Sequence, residues 1–474
     1  MFGAHRNMYN SKLFLKNGSK IAIIGGGPAG SFFAHFASKY AKEMGIDVSL
    51  TIFDKKDFCQ MGPRGCNMCA GVISENLFNK LEEEGIDIPP FCTQRKIEGY
   101  YLCTQDDSVL LHHPAPGHVP KIVAVFRGNG PILSTHQGNV SFDDFLLNHV
   151  KKQGTEVIFG VVKGLKLPSR KGDPINVIFS EGESKKEFEA DLVVGAFGVN
   201  AGMMERVANM DFGYKPPKTV RACQCEIMLG NEYIEKTFGS NVFVFELGKK
   251  ELKFASITLK GDYITVSLVG RQGLNRNNLI DFLNHPAVRR LMPKDWEIPK
   301  NFCMCISKIP VTHAKHPYTD RLVILGDAGI SRAYKSGIES AFNMAKLSAY
   351  TAFKHGVSER AFMNGYFKPA KRLLARDNLY GIMMLKINDY ITSQRQIANT
   401  HIRMLKSNKD TKTTKLINEI LWNMFTGNVT YKEIFFKAIN PRLALKILPI
   451  SMIAWARQKI NDINAGRKNI ELFL

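Results

Sequence analysis

The sequence predicts an α/β protein in which a helix-wrapped, mostly parallel sheet carries an inserted, mainly antiparallel β-sheet and is followed by a helical C-terminal region. Three observations predict it. Near the start, the apolar run Ile21-Ala22-Ile23-Ile24 leads directly into Gly25-Gly26-Gly27-Pro28-Ala29-Gly30. About three hundred residues later, Arg321-Leu-Val-Ile-Leu325 leads into Gly326-Asp327-Ala328-Gly329. Between them, residues 211–308 hold short alternating runs of β-branched and aromatic residues, and from Lys335 onward strand signals become few.

The first run is a buried strand feeding a helix through Gly-x-Gly-x-x-Gly, the Rossmann-like dinucleotide fingerprint. Glycine is needed there for the tight turn and for close approach of backbone to a pyrophosphate. The phosphates sit on the positive end of the helix, among amides without intrahelical partners. Gly25, Gly27, Pro28, Ala29 and Gly30 are therefore candidate cofactor contacts. The helix runs from about Gly30 to Met44, a second strand from Val48 to Phe53, and Asp54 ends that strand where a ribose hydroxyl needs an acceptor.

Residues 1–95 form the first part of this dinucleotide domain. Residues 96–135 supply strands of the second domain, such as Gly99-Tyr-Tyr-Leu-Cys-Thr and Ser108-Val-Leu-Leu-His. Residues 136–210 return to the first domain. Ser141 caps a helix that Gly154 stops, Glu156 to Gly160 is a strand, and so is Ala190 to Ala196. The inserted sheet spans 211–308, with Asn241-Val-Phe-Val-Phe, Phe254-Ala-Ser-Ile-Thr-Leu and Tyr263-Ile-Thr-Val-Ser-Leu as strands. Residues 309–355 complete the dinucleotide domain, and 356–474 are a basic helical region.

In the second motif a strand delivers Asp327 to the mouth of a helix. An aspartate there accepts from ribitol hydroxyls, and the helix start faces the pyrimidine edge of a flavin, where reduction places negative charge. Paired with the amino-terminal fingerprint, Gly326 and Asp327 make FAD the expected cofactor.

On these residues the chain resembles the flavoprotein oxidoreductases typified by para-hydroxybenzoate hydroxylase, and within them the geranylgeranyl reductase-like branch. The resemblance covers about residues 20–350. It rests on the glycine fingerprint, Cys69-Ala70-Gly71-Val72-Ile73, Phe126-Arg127-Gly128 with Ser141-Phe142-Asp143, Ala190-Asp191-Leu-Val-Val-Gly195-Ala196 with Gly198, and Gly326-Asp327-Ala328 with Gly337. It implies that Arg127 lies near the adenosine and phosphate side of the cofactor. It also implies that Gly337 and Ile338 meet the flavin, and that the inserted sheet walls a substrate cavity. Relatives carry a proline and Gly-x-Gly after Gly-Asp-Ala, where this chain has Ile330-Ser-Arg332-Ala-Tyr334-Lys335-Ser-Gly337. Arg332 and Lys335 add cations, and Lys335 is a candidate for offsetting charge on reduced flavin; a solvated helix start is the competing reading.

Cys66-Asn67-Met68-Cys69 has four readings. The resemblance makes Cys69 a proton donor or cavity residue beside the flavin. The spacing alone fits a redox dithiol. A metal or iron–sulfur site would need ligands from Cys59, Cys223, Cys225, Cys303 or Cys305, in spacings that match no common site. Ordinary buried cysteines are the fourth, and no metal site is expected. His112, His113, His313 and His316 form no triad and receive no role. Trp296, Trp422 and Trp455 are the only tryptophans, so there is no Trp-x-Trp pair, which argues against halogenation.

The chain has 64 Lys and Arg against 43 Asp and Glu, a net charge of +21. That charge calls for an anionic partner: a membrane surface, an acidic electron donor or an anionic substrate. Nucleic acid is excluded by the lack of any recognition motif. Nine cysteines, an odd number, with no signal peptide, point to a reducing, cytoplasmic setting. No run reaches the roughly 20 apolar residues of a spanning helix; the nearest, Leu443 to Ala456, is broken by Lys446 and Pro449. Residues 369–474 hold 18 Lys and Arg against 7 Asp and Glu. There, Leu421-Trp422-Asn-Met-Phe425, Tyr431 to Ile439 and the run ending at Trp455, before Arg457 and Lys459, read as basic amphipathic helices. Such helices dock on the inner face of a membrane or pack on the protein.

The expected function is an FAD-dependent oxidoreductase that reduces carbon–carbon double bonds of an isoprenoid or similar apolar or lipid substrate. The electron donor, NAD(P)H or ferredoxin, is undecided. The alternatives are an FAD-dependent monooxygenase acting on an aromatic or lipid-like substrate, and a membrane-surface flavin-binding module without catalysis.

Overall fold

The structure, a computed structural model, describes residues 13–67, 69–170, 172–271, 273–406 and 411–441, and beyond these 443, 445, 449, 452, 453, 455, 456, 459 and 460. Residues 1–12, Met68, Lys446 and Arg457, which figured in the readings above, lie outside the described residues. The chain divides into two compact units. The first comprises residues up to 60, 141–219 and 309–376; the second comprises 61–140, 220–308 and 377–474.

In the first unit, β1 (Ser19–Ile24), α1 (Pro28–Met44) and β2 (Val48–Asp54) follow one another as the fingerprint requires. They are joined by α2 (Phe142–Lys152), β3 (Glu156–Phe159), β4 (Leu192–Gly195), β5 (Leu322–Ile324) and α3 (Gly337–Lys354). The sheet order is Tyr318–Thr319, β5, β4, β1, β2, β3. All neighbours in it are parallel except the antiparallel edge at Tyr318–Thr319. Ile21, Ala22, Ile23, Val193 and Val194 are fully buried, as strands covered on both faces require. The two helices that flank this sheet's center lock edge to face: Phe342 of α3 meets Phe32 and Phe36 of α1, each with ring centroids 5.2 Å apart. Ser141 Oγ accepts from Asp144 N–H at the start of α2, and Gly45, in the left-handed region, ends α1. Buried Arg321 ties the sheet's lower end together, donating to the carbonyls of Asp191 (2.7 Å) and Gly172 (2.8 Å).

In the second unit a seven-stranded sheet runs Cys303–Pro310, Thr219–Met228, Tyr263–Gly270, Leu252–Lys260, Asn241–Phe245, Gly99–Cys103, Ser108–Leu111. It is antiparallel where the inserted strands meet, and parallel between Asn241–Phe245 and Gly99–Cys103. One face packs Cys225, Ile227, Ile257, Ile264, Val266 and Leu268 against Phe282, Leu283 and Val288. Residues 61–95 belong to this unit and not to the dinucleotide unit, because Val72–Ile73 and Thr93–Ile97 both pair with Ile122–Val125.

The tail folds onto the second unit. Trp422, on helix Lys412–Thr426, is 1 % exposed and stands edge-on to Tyr100 at 5.5 Å. Tyr431 and Ile434 of helix Tyr431–Ala438 are buried, and the Asp377 carboxylate accepts the N–H groups of Tyr431 (3.0 Å) and Lys432 (2.8 Å). The inner faces of these amphipathic helices are thus packed on protein. Phe436, Ile439, Leu445, Met452, Ile453 and Trp455 stay exposed. Among the described residues no helix is long and apolar enough to cross a membrane.

Candidate functional site

The glycines of the fingerprint are fixed by sterics. A Cβ on Gly30 would lie 1.9 Å from the Gly25 carbonyl oxygen, and one on Gly25, whose φ is +108°, would lie 2.5 Å from that of Ala196. The turn therefore packs β1 against α1 and β4 with no room for a side chain. It is followed by Gly27 as N-cap and Pro28 at the first helical position, with no side chain capping α1 and no acidic residue in its first turn. The amides of that turn have no acceptor within the helix, an arrangement suited to an anion. Ser31 Oγ turns back to the Gly26 carbonyl, at 2.9 Å.

Asp54 stands beside this turn. Its Oδ2 accepts the Gly26 N–H at 2.6 Å and its Oδ1 the Lys56 N–H at 2.8 Å. Burial raises its pKa above the ordinary carboxylate value, against the lowering effect of these two bonds. Each oxygen keeps a second lone pair, so the residue can accept a hydroxyl while holding the loop.

At the second motif, Gly326 takes a positive φ of +67° and a Cβ there would come 3.0 Å from Ala29 Cβ, so the turns after β1 and β5 lie side by side. Two buried tyrosines hold the second turn: Tyr214 Oη donates to the Ala328 carbonyl (2.8 Å) and Tyr366 Oη to that of Ile324 (3.0 Å). Burial raises both phenol pKa values. A Cβ on Gly337 would meet Asp327 Oδ1 at 3.5 Å, so Asp327 faces the first turn of α3, where Ile338 is buried. Lys335 is half-buried between Tyr334 and Ser336, whose φ angles are +69° and +55°. Two non-glycine residues in the left-handed region, one on either side of Lys335, mark a strained loop. It coincides with the stretch where this sequence departs from the pattern it resembles.

The structure thus gathers Gly25, Gly27, Pro28, Ala29, Gly30, Asp54, Gly326, Asp327, Lys335, Gly337 and Ile338 in the first unit. Cys69 and Arg127 belong to the second. Cys69 Sγ accepts the Gly71 N–H at 3.4 Å. Arg127 follows strand Ile122–Val125, and the next residue, Gly128, lies so close to the Gly65–Cys66 backbone that a Cβ would approach it to 2.6 Å. Cys303 and Cys305 share the surroundings of Cys66; burial raises the pKa of both, that of Cys305 to about 12, so they are held as thiols. The described cysteines do not group as metal ligands.

The inner polar face of the seven-stranded sheet was not expected. Gln224, Thr258, Lys260, Thr265 and Ser267 are all buried there, beside Glu226. Lys260, 1 % exposed, has its Nζ 3.4 Å from Glu226 Oε1 and 4.9 Å from the center of the Phe126 ring, and Thr265 Oγ1 donates to Glu226 Oε2 at 2.8 Å. Burial raises the Glu226 pKa despite its cation. The hydroxyls of Ser267 and, on the edge strand, Ser307 are buried with no hydrogen-bond partner among the described residues. The available signal was Glu226 and Lys260 sitting in otherwise apolar strands, where a charge implies a buried partner.

No family model matches the chain. In sequence it is similar to a geranylgeranyl diphosphate reductase of Synechocystis, 22 % identical over 343 residues, 70 % of this chain and 74 % of that protein. In structure it is similar to a geranylgeranyl bacteriochlorophyll reductase-like protein of Thermoplasma acidophilum. The TM-score is 0.61 at 16 % identity, over 92 % of this chain and all of that one. A p-nitrophenol 4-monooxygenase of Pseudomonas putida gives a TM-score of 0.60 at 14 % identity, over 87 % and 99 % of the two chains. A halogenase in complex with FAD gives 0.57 at 11 % identity, over 88 % and 85 %. The chain has the fold of the FAD-dependent oxidoreductases, and within that fold its sequence is similar to a geranylgeranyl reductase.

Proposed function

We propose that the chain is an FAD-dependent oxidoreductase that reduces a carbon–carbon double bond in an isoprenoid or similar lipid-like substrate. The open first turn of α1, with Asp54 held beside it by Gly26, is the observation that carries cofactor binding. Similarity to the Synechocystis reductase favours reduction. In this reading the α1 turn from Gly25 to Gly30 receives the pyrophosphate, Asp54 a ribose hydroxyl and Asp327 the ribitol. Gly337 and Ile338 border the flavin ring, and Arg127 serves the adenosine and phosphate side. FAD supplies hydride transfer when bound; this chain supplies position, charge and a proton. Cys69 is the proposed proton source, and Lys335 offsets negative charge. Lys335→Met is therefore expected to lower the flavin midpoint potential, by on the order of 30 mV for about 1.4 kcal/mol lost from a two-electron couple; an unchanged potential removes Lys335 from the site.

The polar sheet face refines the substrate. A wall carrying Lys260, Glu226 and unpartnered serine hydroxyls suits an amphiphile with an oxygen-bearing end better than a bare hydrocarbon. The basic tail with exposed Leu445, Met452, Ile453 and Trp455 suits docking on an anionic membrane that holds such a substrate. Electrons come from NAD(P)H or from an acidic carrier such as ferredoxin, which the net charge of +21 would attract.

The second reading, a monooxygenase, draws on the fold shared with the p-nitrophenol enzyme. Anaerobic single turnover of the reduced, FAD-loaded protein with geranylgeranyl diphosphate separates the two. A saturated product without oxygen supports reduction, and product only after admitting air supports oxygenation. A protein that stays colourless after incubation with FAD overturns both, and leaves a binding module without flavin chemistry.

A further inference from the structure

We infer that Glu75, His113 and His118 form a zinc site on the second unit, separate from the cofactor residues. One carboxylate oxygen and one ring nitrogen from each histidine lie within 4.8 Å of one another. His118 Nε2 is 2.7 Å from Glu75 Oε1, and the two imidazoles lie with centroids 4.1 Å apart at 35°.

The local structure prepares this grouping. Glu75 is the first residue of helix Glu75–Glu83, whose cap Ser74 accepts the Leu77 N–H, so its backbone position is fixed. Glu75 Oε1 also accepts the Lys121 N–H at 3.2 Å, and among the described residues no donor meets Oε2, which is open to a cation. His113 and His118 bracket Pro114-Ala115-Pro116-Gly117, a stretch stiffened by two prolines and turned by Gly117 at φ +74°. His113 Nδ1 sits between the Ala115 N–H (3.1 Å) and the Ala115 carbonyl oxygen (3.4 Å). Nδ1 accepts the shorter of these, the Ala115 N–H, so ligation through Nε2 requires the other tautomer, in which Nδ1 releases that N–H and donates its proton to the Ala115 carbonyl.

An ion pair between His118 and Glu75 explains only part of this. It gives no account of a second imidazole lying on the first, with ring centroids 4.1 Å apart. A divalent cation shared by the three groups accounts for both imidazoles and the carboxylate together. Two imidazoles and one carboxylate suit Zn²⁺, with bonds of about 2.0–2.2 Å and ligand atoms about 3.4 Å apart, so modest closure of the half-exposed His118 completes the set. Its solvent side leaves the fourth position to water. The inner edge of the site is the His113 ring, which stands perpendicular to Trp422 at 5.4 Å, while Asn418 Nδ2 donates to the His112 carbonyl at 2.9 Å. The metal would thus fasten the 113–118 loop between helix Glu75–Glu83 and helix Lys412–Thr426.

The test uses the full-length, FAD-loaded protein, stripped with chelator and dialysed against micromolar Zn²⁺ at pH 7.5. One zinc per chain is expected, with nitrogen and oxygen at about 2.0–2.2 Å by X-ray absorption. His118→Asn and Glu75→Gln should each weaken binding tenfold or more while flavin content and the far-ultraviolet spectrum stay unchanged. Cys66→Ser should bind as the parent does. Zinc held at a sulfur distance of about 2.3 Å, zinc retained fully by both site variants, or none above the dialysis buffer would overturn the assignment.

Discussion

Lys260 Nζ and Glu226 Oε1 lie 3.4 Å apart inside the second unit, with the ammonium also over the Phe126 ring. The Gly71 loop closes over the pair: a Cβ on Gly71 would lie 3.2 Å from Lys260 Nζ. Removing one partner of such a buried pair leaves an uncompensated charge, at a cost of about 3–5 kcal/mol, whereas removing both costs much less. Lys260→Met and Glu226→Gln should therefore each destabilise strongly in urea unfolding, and the double variant should recover most of the loss. Additive losses would show that the two groups do not act as a pair.

Gly30→Ala should abolish FAD retention. The added methyl carbon would sit 1.9 Å from the Gly25 carbonyl oxygen, so the turn must open and the α1 amides move from their cradle. Asp54→Ala is the milder counterpart. It frees the Gly26 and Lys56 N–H groups, and about tenfold weaker FAD binding is expected, read from recovery of flavin fluorescence on release. Retention of FAD by Gly30→Ala at the parent's affinity would refute the cradle.

Glu246 gives a pH signature. Burial raises its pKa to about 7, with Asp389 adding to the rise and Asn388 Nδ2, donating at 2.8 Å, opposing it. A carboxyl that ionises later in the folded than in the unfolded chain makes no difference below the unfolded pKa near 4.5. Stability then falls as pH rises from there through 7, by up to about 3 kcal/mol. Glu246→Gln keeps the acceptor for Asn388 and should raise the melting temperature at pH 8, with little change at pH 4.5. A shift equal at both values would remove Glu246 as the source.

What the sequence disclosed follows from how local each constraint is. Gly25, Gly30 and Asp54 were legible because their demands are met within one strand–turn–helix, which a short window contains. Trp422 was ambiguous because an amphipathic helix shows that one face is apolar and not what covers it; Tyr100, more than three hundred residues earlier, does. The boundary expected at residue 95 missed the pairing of Val72–Ile73 with Ile122–Val125, a non-local choice that no turn signal announces. Glu75 and His118 are 43 residues apart, outside any ligand-spacing motif.

The chain passes between its two units five times, at 60/61, 140/141, 219/220, 308/309 and 376/377. During synthesis β1 therefore waits for its partner: Ile21 pairs with Leu192, about 170 residues later, and β4 in turn waits for Leu322 in β5. At about 5–20 residues per second the first strand is translated some 10–35 s before its neighbour on that side exists. The nascent chain thus presents an incomplete apolar sheet for much of its time on the ribosome, which makes yield in cells sensitive to chaperone supply and translation rate. No single cut of the gene releases either unit as a contiguous fragment.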